Sequence, residues 1–201
     1  MTRGRQATPG PAPGGAAAAG ANLAPTSSDP AARPVAVLIG PPGAGKTTVG
    51  AALADLLGVG LHDTDLAIEA ASGRSVADIF LDDGEARFRA LERDEVARAL
   101  GTQRGVLALG GGAVLDPGTQ AALAAHVVVF LDVSIADAAK RIGFDRSRPL
   151  LAINPRASWV AMMNARRPVY ERLAVHRVDT AGRSPAEVAA QILAFVTGTS
   201  R

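Results

Sequence analysis

Gly40-Pro41-Pro42-Gly43-Ala44-Gly45-Lys46-Thr47-Thr48 has the spacing G-x-x-x-x-G-K-[ST], a phosphate-binding loop when it joins a strand to a helix. Both flanks have that character. Val35–Ile39 is a short apolar run suited to a buried strand, and Val49–Leu57 is an Ala/Leu-rich helical pattern. The glycines let the backbone curl until successive N–H groups face one centre, and a helix beginning near Lys46 adds its dipole. The chain has 21 basic residues, yet only Lys46 and Lys140 are lysines. A compact ammonium fits between two phosphates where a planar guanidinium does not. Lys46 is therefore the expected phosphate ligand. The bland alternative, a fortuitous glycine turn, does not account for two correct flanks. The chemistry indicated is binding of a nucleoside triphosphate.

Other chemistry-bearing residues follow the strand-like runs. His62-Asp63-Thr64-Asp65 ends the second of them. Asp63 and Asp65, two residues apart, should project in similar directions. One could hold Mg²⁺ beside the Thr47 hydroxyl; the other could orient, or take a proton from, a substrate hydroxyl. The competing reading is that Asp65 only N-caps the next helix. His62, His126 and His176 are isolated, and no metal-ligand spacing joins them. Gly110-Gly111-Gly112 follows the third run, and allows close backbone approach to a ligand with N–H groups as donors. Arg89 has Glu85 four residues before it and Glu92 three after, which on spacing alone favours a surface ion pair. Arg141, Arg146, Arg148 and a glycine hinge in the segment that ends at Pro149 suggest a lid over phosphates. Trp159, Met162 and Met163 read as core.

These groups need a scaffold that brings strand ends together. Strand patterns lie at 35–39, 59–62, 106–109, 127–131 and 175–178. Helical patterns lie at 46–57, 65–72, 75–81, 85–100, 117–124, 134–142, 156–173 and 185–197. Val-Val-Val-Phe-Leu at 127–131 indicates a strand buried on both faces. Strands alternating with helices predict a doubly wound parallel sheet, with ligands at the strands' carboxyl ends.

The 201 residues suit one domain with a real core. With aromatics at 3%, that core must be aliphatic. No cysteine is present, which excludes a disulfide frame and a thiolate metal site. No apolar run approaches the ~20 residues of a membrane span. The net charge of +2 conceals an asymmetry: residues 34–140 carry 8 basic and 14 acidic residues, residues 141–183 carry 9 and 3. A cationic C-terminal third beside a phosphate loop reads as a polyanion clamp. Scarce aromatics argue against nucleic acid. Residues 1–33, rich in Ala, Gly, Pro and Ser, are expected to be a disordered extension. Arg3 and Arg5 without an acid before Asp29 permit a transit peptide, although the Gly and Pro density argues against its amphipathic helix.

Together the motifs resemble those of shikimate kinase over about residues 35–195. Beyond the phosphate loop, the likeness rests on Asp63-Thr64-Asp65, Gly84-Glu85-Ala86-Arg87-Phe88-Arg89, Leu109–Ala113, Arg148–Leu151 and Arg166–Tyr170. The resemblance implies ATP-dependent phosphorylation of the 3-hydroxyl of shikimate, on the route to chorismate and the aromatic amino acids. It implies a P-loop NTPase fold like that of the nucleoside monophosphate kinases: three α/β/α layers, a five-stranded parallel sheet in order 2-3-1-4-5, and a lid at about 143–157 of a kinase domain spanning 34–201. ATP would be held by Gly43, Ala44, Gly45, Lys46, Thr47, Thr48, Arg141, Arg148 and Arg183, with Arg141 and Arg183 flanking adenine. Shikimate would be held by Asp65, Arg89, Gly111 and Arg166: the two arginines on its carboxylate, Asp65 at the reacting hydroxyl, Gly111 through a donated backbone contact. Lys46, Asp65 and Arg148 would carry catalysis. Thr47 would ligate Mg²⁺ with Asp63 in its outer shell. A cytoplasmic monomer with no nucleic-acid or membrane partner is expected. A gluconate kinase of the same fold, and a non-catalytic ligand sensor, are the rival readings.

Overall fold

The computed structural model describes residue 1, residues 33–142 and residues 154–198. The expectations for residues 2–32, and for the lid over 143–153 with Arg146 and Arg148, lie outside the described residues.

Every predicted apolar run is a strand. β1 (Ala36–Ile39), β2 (Leu61–Asp63), β3 (Val106–Ala108), β4 (Val128–Asp132) and β5 (His176–Asp179) form one parallel sheet in the order β2-β3-β1-β4-β5. The central strands are apolar throughout because both faces are covered. Val37, Leu38, Ile39 and Val128–Leu131 are each at most 1% exposed, and each such side chain contributes about 1.5–3 kcal/mol relative to exposure. The loops at the carboxyl ends of β1, β3 and β4 thus spring from the best-buried part of the molecule. The second strand starts later than the sequence pattern suggests. Val59 N–H donates to Ala54 O behind Gly58, which has φ 66°, so this residue closes the preceding helix instead of pairing.

The helices are α1 (Lys46–Leu57), α2 (Thr64–Ser72), α3 (Val76–Asp82), α4 (Gly84–Thr102), α5 (Pro117–Leu123), α6 (Ile135–Ile142), α7 (Pro155–Leu173) and α8 (Pro185–Val196), with a 3-10 turn at Ala113–Leu115. Side-chain caps begin several of them. Ser75 accepts from Asp78 N–H, Asp116 from Thr119 N–H, and Ser184 forms a reciprocal box with Glu187, satisfying N–H groups that the helix leaves unpaired. α1 and α8 pack together on the sheet. α2, α3 and α4 enclose a second, smaller core of Ile68, Ile79 and Phe88, with Phe80 tilted against Phe88 at 4.6 Å. α7 is fastened to β4 twice: Tyr170 stacks on Phe130 at 5.1 Å, and Arg167 donates to both oxygens of buried Asp132 at 2.8 and 2.9 Å. No helix among the described residues is long and apolar enough to cross a membrane.

Candidate active site

The phosphate loop links β1 to α1. Gly43 and Gly45, at φ 85° and 86°, supply the left-handed backbone that turns the loop's N–H groups inward, and α1 begins directly at Lys46. Lys46 Nζ arches back to donate to Gly40 O at 2.9 Å and Pro41 O at 3.3 Å. Burial pushes its pKa down, opposed by the negative charges of Asp65 and Asp63. Thr47 Oγ1 donates to Asp63 Oδ2 at 2.6 Å, which brings a hydroxyl and a carboxylate together at the end of β2.

Asp63, not Asp65, caps α2. Its Oδ1 accepts from Asp65 N–H and Leu66 N–H at 3.0 and 3.3 Å. The capping alternative for Asp65 is corrected by where the helix starts, since Thr64 is already helical. Asp65 keeps its carboxylate, and Oδ1 is buried without a hydrogen-bond partner among the described residues. Desolvation, then repulsion from Asp63, pushes its pKa up to about 6; Glu92 and Glu69 add to the rise and Lys46 opposes it. A half-buried carboxylate with an unspent acceptor, coupled to a lysine, is suited to receiving a hydroxyl.

The triglycine after β3 is the hub. A β-carbon on Gly110 would lie 2.5 Å from Asp65 Oδ1 and 2.7 Å from Glu92 Oε1; on Gly112 it would lie 2.3 Å from Arg89 Nη1. Only glycine lets these charged groups approach the loop so closely. Gly111 lies against the phosphate loop, and its added β-carbon would meet Pro42 Cδ at 3.1 Å. Gly111 O accepts from Arg166 Nη1 at 3.1 Å and from Tyr170 OH at 2.6 Å. The loop's N–H groups are not all free donors, as the sequence suggested. Gly110 N–H is spent on the Oγ1 of fully buried Thr64 at 3.0 Å.

Arg89 does pair with Glu85, at 3.1 Å, but its shorter contact, 2.6 Å, is to Glu92, which is 3% exposed. Its guanidinium also lies 5.7 Å and 5.5 Å from the ring centres of Phe80 and Phe88. A simple surface ion pair would have neither a buried partner nor an aromatic backing. Desolvation raises the pKa of Glu92, with Arg89 pulling the other way.

Arg141 and Arg183 meet at one turn. Arg141 Nη1 donates to Gly43 O at 3.1 Å and Thr180 Oγ1 at 3.1 Å, and Nη2 donates to Thr180 O. Arg183 donates to Asp179 O at 3.1 Å. The expected cationic cluster is divided. Arg141, Arg166 and Arg183 border the loops, whereas Arg167 and Arg177 pair with Asp132 and Arg172 with Gln120. Nor is His62 isolated: its Nε2 lies 2.6 Å from Glu95 Oε1, tying β2 to α4.

Thr64, Glu92, Trp159 and Tyr170 were not singled out for the site from sequence. Trp159 Nε1–H donates to Pro42 O at 3.2 Å, so this core residue also holds the phosphate loop. One signal was present: Trp159, Met163, Arg166 and Tyr170 share a helical face at i, i+4, i+7, i+11, with Arg166 the only charge in an otherwise apolar stripe.

The family model for Shikimate kinase matches residues 42–197. The chain is 58% identical over 157 residues to the shikimate kinase of Thermobifida fusca, covering 78% of this chain and 91% of that one. It is 54% identical over 163 residues to that of Salinispora arenicola, covering 81% and 98%. Among solved structures, shikimate kinase from Acinetobacter baumannii in complex with shikimate superposes with a TM-score of 0.78 at 32% identity, covering 85% of this chain and 96% of the other. On the strength of the matched motifs, the shared sheet order and these likenesses, the chain belongs to the shikimate kinase family.

Proposed function

We propose that this chain transfers the γ-phosphoryl group of ATP to the 3-hydroxyl of shikimate, giving shikimate 3-phosphate and ADP on the way to chorismate. One observation carries the reading: Asp65, Arg89 and Arg166 all converge on the Gly110–Gly112 loop, which abuts the phosphate loop at Pro42. A small carboxylate suits two guanidiniums, which bind it with charge-assisted, bidentate hydrogen bonds. Held there, the substrate presents its hydroxyls towards Asp65.

Phosphoryl transfer needs alignment and charge neutralisation more than covalent chemistry. Lys46, now bonded to its own loop's carbonyls, would turn to the β- and γ-phosphates; the loop N–H groups from Gly43 to Thr48 would surround the β-phosphate. Asp65 accepts the hydroxyl proton as the oxygen attacks. A carboxylate raised to about 6 is a better base than an ordinary aspartate, yet is mostly ionised at neutral pH. Arg141 and Arg183 would flank the adenine, and Arg148 would reach the phosphates from the lid.

Mg²⁺ fits the donors at hand. Thr47 Oγ1 and the Asp63 carboxylate are hard oxygens 2.6 Å apart, and Mg²⁺ characteristically takes few protein ligands, leaving the rest to water and phosphate. Thr47 would ligate it and Asp63 would hold one of its waters, so that the ion neutralises phosphate charge. Residues 34–201 would constitute the kinase domain.

A coupled ADP-release assay with shikimate and gluconate in parallel tests the reading. ADP release dependent on shikimate, with a product phosphorylated on the 3-hydroxyl, is expected. Turnover on gluconate alone would overturn it.

A further inference from the structure

We propose that Tyr170 is a positioning residue that holds the Gly111 carbonyl in place while Arg166 is handed over to the substrate carboxylate; this rests on the function proposed above. Two donors one helical turn apart on α7 converge on this single oxygen, Arg166 Nη1 at 3.1 Å and Tyr170 OH at 2.6 Å. A carbonyl has two lone pairs and can satisfy both. The two donors are not equivalent. Arg166 is half-buried at the crevice, and its guanidinium has nitrogens to turn elsewhere. Tyr170 is 0% exposed, is stacked on Phe130 of β4, and sits next to Arg167, which Asp132 grips through both oxygens. Its hydroxyl donates to Gly111 O and is itself within hydrogen-bond reach of Arg166; burial raises the phenol's pKa against the opposing pull of Arg166, so it remains a donor.

When Arg166 swings to a carboxylate, Gly111 O loses one donor. Tyr170 keeps the other in place, so a part-buried carbonyl never stands bare, and the loop that backs Asp65, Arg89 and Pro42 does not shift. Without the hydroxyl, binding the substrate would cost an unsatisfied buried acceptor, and the carbonyl would compete with the carboxylate for Arg166. The effect falls on the acceptor substrate. ATP would contact the phosphate-loop side of the crevice, where Trp159 independently holds Pro42.

The test is a double-mutant cycle on the full-length chain with Tyr170→Phe, Arg166→Ala and the pair, reading KM for shikimate and for ATP, kcat and Tm. Phenylalanine keeps the stack on Phe130. Tyr170→Phe is expected to raise the shikimate KM on the order of tenfold, with ATP KM and kcat nearly unchanged. In the Arg166→Ala background the same change is expected to add almost nothing, because no arginine remains to be handed over. An unchanged shikimate KM in Tyr170→Phe, or the same fold-change in both backgrounds, would overturn the proposal and leave Tyr170 a packing residue. If Tyr170→Phe melts too low for steady-state assay, a shikimate binding titration below its Tm reads the same ratio: a roughly tenfold weaker dissociation constant than the parent's supports the proposal, and an unchanged one overturns it. Absence of shikimate turnover in the unsubstituted enzyme is a different result, and would strike the proposed function first.

Discussion

Replacing Asp65 with Asn removes a charge that the fold holds at a cost, and the cost can be worked out. The carboxylate sits at about 6 instead of 3.8, chiefly through desolvation and then through Asp63. Between those pH values the native chain keeps a proton that the unfolded chain has released, so stability falls as pH rises through that window. Above about 6 the full penalty is present, on the order of 3 kcal/mol at 1.36 kcal/mol per pH unit. Asn carries no charge at any pH. Asp65→Asn should therefore be more stable than the parent at pH 7.5, by as much as ~6–12 °C in Tm for a domain of this size, and the gap should close below about pH 4. Turnover should fall on the order of 10²–10⁴ with ATP affinity retained. Ligand-free thermal melts across pH 4–8, paired with initial rates, read both effects. An Asp65→Asn variant that is no more stable at pH 7.5, or a gap that does not narrow in acid, would refute the desolvated-carboxylate argument. Retained turnover would remove Asp65 from the reaction.

Other outcomes follow from the same geometry. In the unsubstituted enzyme kcat/KM for shikimate should fall as pH drops through about 6, where Asp65 takes up its proton; a flat acid limb down to pH 5 would contradict its role as base. Arg89→Ala should raise the shikimate KM roughly 30-fold, the scale of a lost hydrogen bond to a charged group, with ATP KM unchanged. An unaltered shikimate KM would reduce Arg89 to its Glu85 ion pair. Asp132→Asn should destabilise the fold by about 2 kcal/mol at pH 7. Burial alone would raise the Asp132 pKa, but Arg167 and Arg177 hold it below the usual value, so this contribution is present above pH 4 and fades as pH falls through the lowered native pKa. Chemical denaturation at pH 7 and in acid would check it, and a pH-independent difference would count against the ion pairs.

Local patterns in the chain were enough for the scaffold. The five apolar runs and eight helical patterns all formed, because each strand is bounded by turn residues and most helices carry a side-chain cap, Ser75, Asp116, Ser134, Asn154 and Ser184 among them. The order of the strands came from the resemblance, not from spacing. The site was legible where one residue type had one plausible use, as with Lys46. It was ambiguous where local and long-range roles compete. Asp65 looked as able to cap a helix as to bind a hydroxyl, and only the start of α2 at Thr64 gives the cap to Asp63. Arg89 with two nearby glutamates reads as a surface pair until Glu92 proves buried. Thr64 meets Gly110 across 46 residues, and Trp159 meets Pro42 across 117. No spacing rule reaches that far. Such contacts exist only once the parallel sheet has brought the loops after β1 and β3 side by side.

The most direct test of the central claim is a crystal structure of this enzyme with ADP and shikimate. The predicted result is a carboxylate bridging the guanidiniums of Arg89 and Arg166 at about 2.7–2.9 Å, with the 3-hydroxyl on the Asp65 carboxylate and facing the phosphate loop. Shikimate bound away from the Gly110–Gly112 loop, or with its carboxylate turned from both arginines, would contradict it.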